Sequence, residues 1–241
     1  MMRVLILGGT QRGRELAGLL ARDHACLLSF AGRTEAPALP DLPCRVGGFG
    51  GVEGLRAFLA DFDALIDATH PFAARISHNA VLAAAAANVP LLRLVQPPWP
   101  REDGWLEVPD MDAAARAIGE APKRVFLTIG RLEIAAFQRA PQHAYLVRAV
   151  DAFDPGLPHA RVLTARGPFA LDAERALLER ERIDVLVSKN AGTEATYAKL
   201  AAARELGVPV IMVARPTLPP ACEVSSLAAA VAWLHGNERG E

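Results

Sequence analysis

The sequence predicts an α/β fold of two similar parallel-sheet domains, and three observations lead there. Short apolar strands alternate with helical patterns along the chain, the order that parallel sheets with crossover helices require. The second half repeats the first at offsets of 116 to 121 residues. Glycine, polar and basic residues gather just after the strands, where open parallel sheets bind ligands.

In the first half, RVLIL (3–7), CLLSFA (26–31), a short CRV (44–46), ALID (64–67) and PLLRLV (90–95) read as strands. Helical patterns occupy about 11–22, 51–60 and 71–88, the last rich in alanine, which carries the lowest helix penalty. Prolines and charges in QPPWPREDG (96–104) suit neither element, so this stretch reads as a linker. Beyond it the first half recurs. Val125 of RVFLTIG matches Val4, Leu146 of YLVRAVDA matches Leu27, and Val162 of RVLTARGPF matches Val46. Asp184 of IDVLVSKNA matches Asp63 of FDALIDATH, and Pro209 of GVPVIMVARPT matches Pro90. The halves also end alike, in LEVPDMDAAARAIG and CEVSSLAAAVAWLHG, with Glu107 matching Glu223. Parallel strands are all Val/Ile/Leu-rich, so one such match means little, but six in order indicate a duplication. The expected organisation is two similar Rossmann-like parallel-sheet domains with a ligand cleft between them: 1–96, then a linker with a short strand and helix over 97–122, then 123–241. Each short EV strand can pack on its own half or cross to the other, and both arrangements stand.

Composition excludes several classes of partner. With 241 residues and 51% hydrophobic side chains, the chain can bury one large core or two small ones. Lys and Arg total 26 against 27 Asp and Glu, so the bulk charge favours neither nucleic acid nor a membrane surface. No apolar run approaches the ~18 residues of a membrane span, and Met1 leads into a strand rather than a signal peptide, so a cytoplasmic location is expected. Cys26, Cys44 and Cys222 lack metal-site spacing and read as reduced structural residues; no metal is expected.

The loops after the strands carry the candidate chemistry. Gly8-Gly9-Thr10-Gln11-Arg12-Gly13 departs from G-x-G-x-x-G at Thr10 but stands between a strand and a helix, as that fingerprint requires. Glycines would let backbone N–H groups approach a pyrophosphate at the helix N-terminus, and the Thr10 hydroxyl would add a donor. A plain βα turn explains the same residues. The second strand favours the first reading, because it ends in Ala31-Gly32-Arg33-Thr34 with no acid before Glu35. Arg33 and Thr34 suit the phosphate of NADPH rather than the ribose of NADH. In DATHPFA (67–73), Thr69 and His70 follow a buried strand and join Gly8, Gly9, Thr10, Gln11, Gly13, Arg33 and Thr34 as candidate coenzyme residues. His70 also titrates near neutral pH, as a catalytic group would, although capping of the next helix by Asp67, Thr69 or His70 fits equally, with Pro71 in its first turn. At the matching position of the second half, SKNAGT places Lys189, Asn190 and Thr193 around Gly192, and Lys189 is a candidate anion clamp or proton donor.

GGTQRGRELA, DATHPFAARISHNA, the LTIG strand end, the KNAG loop with Thr196 and Lys199 downstream, and VPVIMVARP together resemble the precorrin-6A reductase family of cobalamin biosynthesis. The chain departs from the usual pattern at Gln11, often glutamate there, and at Ala191-Gly192-Thr193, usually serine-glycine-glycine. The resemblance implies hydride transfer from NADPH to one carbon of a ring D double bond of precorrin-6A, with a proton added to the neighbouring carbon, giving precorrin-6B. It implies no metal or flavin, and His70 or Lys189 as the proton source besides water. The tetrapyrrole substrate is a polycarboxylate, so Arg93, Arg131, Arg148, Arg166, Lys189 and Arg215 are candidate clamps, with Asn190, Gly192 and Thr193 beside them. Alternatives are a cobalt-precorrin-6A reductase of the anaerobic route, a non-catalytic NADPH-binding sensor, a periplasmic-type binding protein and a nucleotide-free uroporphyrinogen-processing enzyme.

Overall fold

The computed structural model describes residues 1–32 and 41–238, and Arg33 and Thr34 lie outside the described residues. The first unit comprises Met1–Pro97 together with Thr217–Glu241. It contains β1 (Arg3–Leu7), α1 (Gln11–Leu20), β2 (Ala25–Phe30), β3 (Cys44–Val46), α2 (Gly51–Leu59), β4 (Ala64–Asp67), α3 (Ala74–Ala87) and β5 (Leu91–Leu94). The second, Pro98–Pro216, contains β6 (Trp105–Val108), α4 (Met111–Ala117), β7 (Arg124–Thr128), β8 (Ala144–Ala149), β9 (Ala160–Thr164), α5 (Leu171–Arg180), β10 (Val185–Lys189), α6 (Ala198–Glu205) and β11 (Val210–Val213). The chain then returns to the first unit as β12 (Cys222–Val224) and α7 (Leu227–Glu238).

Each unit holds one six-stranded sheet among the described residues, in the orders β12-β5-β4-β1-β2-β3 and β6-β11-β10-β7-β8-β9. All neighbours run parallel. The two orders coincide strand for strand once the repeat is applied, and matched side chains make matched bonds. Asp63 accepts the Arg3 N–H at 2.7 Å, and Asp184 accepts the Arg124 N–H at 2.7 Å. His24 Nδ1 accepts from Met2 N–H at 3.4 Å, as His143 Nδ1 does from Lys123 N–H at 3.2 Å.

The exchange of edge strands corrects the expected boundaries. Residues 98–122 are not a linker: β6 pairs with β11, with Trp105 opposite Val210, and so completes the second sheet. Conversely, 217–241 leave the second domain, because β12 pairs with β5. Side-chain volume explains the assignment. Trp105 and Trp99 are both buried with Phe126, Leu186, Leu200 and Met212, whereas Ala230 and Leu234 of α7 join Val4, Ile6, Leu28 and Ile66.

Buried strands need apolar residues on both faces. In β1, Val4 and Ile6 face the cluster containing α1 and α7 residues, while Leu5 and Leu7 face the one containing Leu55 and Leu59 of α2 and Ala80 of α3. Each such side chain contributes about 1.5–3 kcal/mol on burial. Among the described residues no helix is long and apolar enough to cross a membrane.

Charge ties the returning strand to its sheet. Arg93 on β5 stands opposite Asp67 on β4 and Glu223 on β12. Its Nη1 donates to Glu223 Oε1 at 2.7 Å and to Pro219 C=O at 3.1 Å, while Nε lies 3.6 Å from Asp67 Oδ2. Arg93 is therefore part of the scaffold rather than a clamp on a ligand. Arg12 reinforces the same junction, donating to Val95 and Ser225 carbonyls at 3.1 and 2.6 Å. Arg93→Ala leaves a buried Asp67 carboxylate without its cation, and is expected to cost about 3–5 kcal/mol of folding free energy in chemical denaturation.

Candidate functional site

The central strand β1 runs into the glycine turn, and the turn shows how its residues divide their work. Gly8 donates its N–H to Ser29 C=O at 2.8 Å, and an added Cβ would fall 2.7 Å from Leu28 Cδ1, so Gly8 is required by packing. Gly9 has φ +124° and no atom within 4 Å of an added Cβ. Open space and a backbone conformation suited to glycine therefore coincide at Gly9. Thr10 caps α1: its hydroxyl accepts the Gly13 N–H at 3.0 Å and gives its proton to Ala68 C=O at 2.9 Å. That proton is spent inside the turn, so the expected extra donor from Thr10 is withdrawn. Gly13 is buried against Ala68, where an added Cβ would lie 3.2 Å from the Ala68 carbonyl. Gln11, exposed, donates to Glu15 at 2.8 Å. The first N–H groups of α1, with no carbonyl one turn back, are the natural anion donors.

The DATHPFA loop differs from expectation at its helix. α3 starts at Ala74, with Ala73 as a cap that makes no side-chain bond, so Pro71 lies before its first turn and neither Asp67, Thr69 nor His70 caps it. The polar side chains hold the loop itself. Asp67 Oδ1 accepts from Thr69 N–H and hydroxyl at 3.2 and 2.6 Å, and Thr69 Oγ1 lies 3.3 Å from Ser77 Oγ. His70 Nδ1 accepts the Phe72 N–H at 3.2 Å, which assigns the ring proton to Nε2.

In the second unit, β10 ends at Lys189, whose Nζ donates to Glu133 Oε1 at 3.1 Å. Glu133 belongs to the 3-10 segment Arg131–Arg139 after β7. Several expected ligand groups are committed elsewhere. The Asn190 amide brackets Trp99, accepting its N–H at 2.8 Å and donating to its carbonyl at 3.2 Å. Arg215 donates to the Asn190 and Ala191 carbonyls at 2.8 and 3.1 Å, shaping the loop around Gly192, whose φ is +75°. The Thr193 carbonyl receives the Thr196 N–H at 3.2 Å. Arg148 forms a buried bidentate pair with Glu174 at 2.8 and 2.7 Å, its guanidinium carbon 4.8 Å from the Phe126 ring centre and 4.1 Å from that of Phe169. At the carboxyl ends of this sheet, Arg131 and Arg166 are exposed and Lys189 is partly so, beside exposed Leu132 and Val150. Arg131 lies 5.3 Å from the Phe153 ring centre.

Three working residues escaped attention in the sequence: Glu133, Glu174 and Trp99. Lys199, noted there only within a motif, is buried at 5% exposure and donates to Thr196 C=O at 2.7 Å. Its Nζ lies 5.2 Å from the Trp99 ring centre. Burial above all, with the Arg148 charge adding to it and Glu174 opposing, brings its ammonium down to about 7. The signal was present in the helical spacing, since Lys199 shares a face with Ala202 and Ala203 of α6, both buried. Among the described residues no group of three His, Cys, Asp or Glu side chains could hold a metal ion.

The profile of the family described as Precorrin-6x reductase CbiJ/CobK matches residues 3–235. The chain belongs to this family. A family relative from Rhodobacter capsulatus described as precorrin-6A reductase is 46% identical over 98% of each chain. A solved structure described as CobK precorrin-6A reductase shares 45% identity, with a TM-score of 0.92 over 98% of this chain and 97% of its own. A relative from Synechocystis described as cobalt-precorrin-6A reductase is 29% identical over 90% of each.

The buried ammonium has a thermodynamic signature. Its folded pKa is depressed below the ordinary 10.5, so the cost of burial is complete below about pH 7 and stability rises with pH from there towards 10.5. Lys199→Met is expected to raise unfolding free energy at pH 6 by a few kcal/mol, with a gain that shrinks towards pH 10, as denaturation at the two pH values will measure.

Proposed function

We propose that the chain is an NADPH-dependent precorrin-6A reductase that makes precorrin-6B in cobalamin biosynthesis. Within a reductase family, one observation supports the coenzyme reading above others: the open space at Gly9, beside the N-terminus of α1 and at the carboxyl end of the central strand. Gly9 and the first N–H groups of α1 would receive the pyrophosphate, and Arg33 and Thr34 the ribose phosphate. When bound, NADPH supplies the hydride for one carbon of a ring double bond.

The remaining work falls to this chain's side chains. Arg131, Arg166 and Lys189 offer cations to the carboxylates of the macrocycle, and Leu132 and Val150 offer apolar surface to its plane. Lys189, oriented by Glu133, is placed to clamp a carboxylate or to give the proton that completes the reduction. Greater similarity to a metal-free precorrin reductase than to a cobalt-precorrin reductase favours the metal-free substrate.

Anaerobic incubation with NADPH and precorrin-6A tests the reading. Loss of nicotinamide absorbance with a product two mass units heavier is the expected result; binding of NADPH without its oxidation would make the chain a sensor. Arg33→Ala is expected to lose roughly 1.5–3 kcal/mol of NADPH affinity and to leave NADH affinity nearly unchanged, as titration of both coenzymes will show. Lys189→Met should keep the coenzyme Kd within about a factor of two while turnover falls. A loss in KM marks a carboxylate clamp, and a loss in the chemical step with an altered pH profile marks the proton donor.

A further inference from the structure

The second sheet buries a lysine whose charge, when it is protonated, no carboxylate of its own balances. Arg148 at the end of β8 and Glu174 in the first turn of α5 satisfy each other in two bonds. Lys199, in the first turn of α6, contributes a second cation, and among the described residues no carboxylate lies within ion-pair reach of it. The other charged groups around α6 are engaged: Tyr197 donates to Glu102, which also receives Arg204, and Arg175 of α5 binds Glu205 and Asp172. Two cations thus share one anion in an apolar setting of Trp99, Phe126 and Phe169.

The place of this excess charge matters. The first turns of α5 and α6 and the end of β8 all lie at the carboxyl end of the sheet, under the loops assigned above to the substrate. Lys199 supports one of those loops directly through the Thr196 carbonyl, and Phe169 N–H donates to the neighbouring Ala195 carbonyl at 3.2 Å. Replacing a buried charge by a hydrocarbon of similar volume is often neutral or stabilising, so the bond to the Thr196 carbonyl alone does not account for a lysine here.

We propose that Lys199 is a proton-linked counter-charge for the anionic substrate: a carboxylate bound on the loops above stabilises the ammonium form, so binding takes up a proton. No contact between the two is needed, because charges act over several ångströms where water is excluded. The inference rests on the tetrapyrrole reading of those loops. It deepens that reading by naming a residue that selects carboxylate-bearing ligands and makes their affinity fall as pH rises.

Calorimetric titration of the full chain with precorrin-6A, anaerobically and without NADPH, in two buffers of different ionisation enthalpy at pH 7.5, tests it. The native protein is expected to take up about half a proton or more per ligand. Lys199→Met should bind at least several-fold more weakly with no uptake. Lys199→Arg, whose charge is permanent, should bind with no uptake either, but without the full loss of affinity. Tryptophan fluorescence against pH, ligand-free, with Trp105 and Trp233 replaced by Phe in the native and variant backgrounds so that Trp99 alone reports, gives a separate reading: a transition near neutral pH with Lys199 present, lost in both variants. Binding with no uptake by the native protein, or with equal uptake by Lys199→Met, overturns the inference alone. Failure of all three proteins to bind, with the ligand-free transition intact, overturns the substrate reading and the inference with it.

Discussion

A single buried guanidinium, that of Arg93, holds the first sheet to the segment that completes it. Burial of a charge is tolerable only when partners surround it. Arg93 finds them on both neighbouring strands, Asp67 on β4 and Glu223 on β12. With β12 seated, α7 follows, and Ala230 and Leu234 close the apolar cluster over Val4 and Ile6. The strand that bears the glycine turn is thus covered on one face by residues from the far end of the chain. An ion pair two strands away thus fastens the element that covers this strand.

The two sheets share a skeleton and differ at the strand ends, which is where duplication leaves room for change. The bonds of Asp63 and Asp184, and of His24 and His143, persist in both copies because they fasten strand starts, remote from any ligand. At the other end the copies have diverged. Arg12 of the first copy corresponds to Glu133 of the second, Ala68 to Lys189, and Arg93 to Met212. In the first copy these positions lock the turn to the scaffold, and in the second they set a lysine beside a carboxylate.

Strands and duplication were legible in the sequence because they rest on local pattern: apolar runs, glycine pairs and ordered matches. Exchange of edge strands was not, since the EV segments are equivalent by pattern and only the fit of Trp99, Trp105 and Arg93 into finished cores distinguishes them. The same limit explains why the internal bonds of several ligand candidates were not foreseen. Thr10, Asn190, Arg93, Arg148 and Arg215 are polar residues at strand ends, and such residues either meet a ligand or satisfy the loop. Which of the two holds depends on partners remote in sequence, as with Asn190 and Trp99 or Arg148 and Glu174. Lys199 is the opposite case, a charge on a helical face that its alanine neighbours mark as buried.

Exchange of the edge strands makes the second unit a continuous stretch, 98–216, inserted into a first unit made of two pieces. On the ribosome the order of completion is therefore inverted. The downstream unit has all its strands while the upstream sheet still exposes the open edge of β5, whose backbone groups can pair with any passing strand. Arg93 on that edge then has Asp67 beside it but still lacks Glu223, and its charged head disfavours a foreign apolar strand in the place reserved for β12. One guanidinium thus serves as a guard during synthesis and as a fastener afterwards.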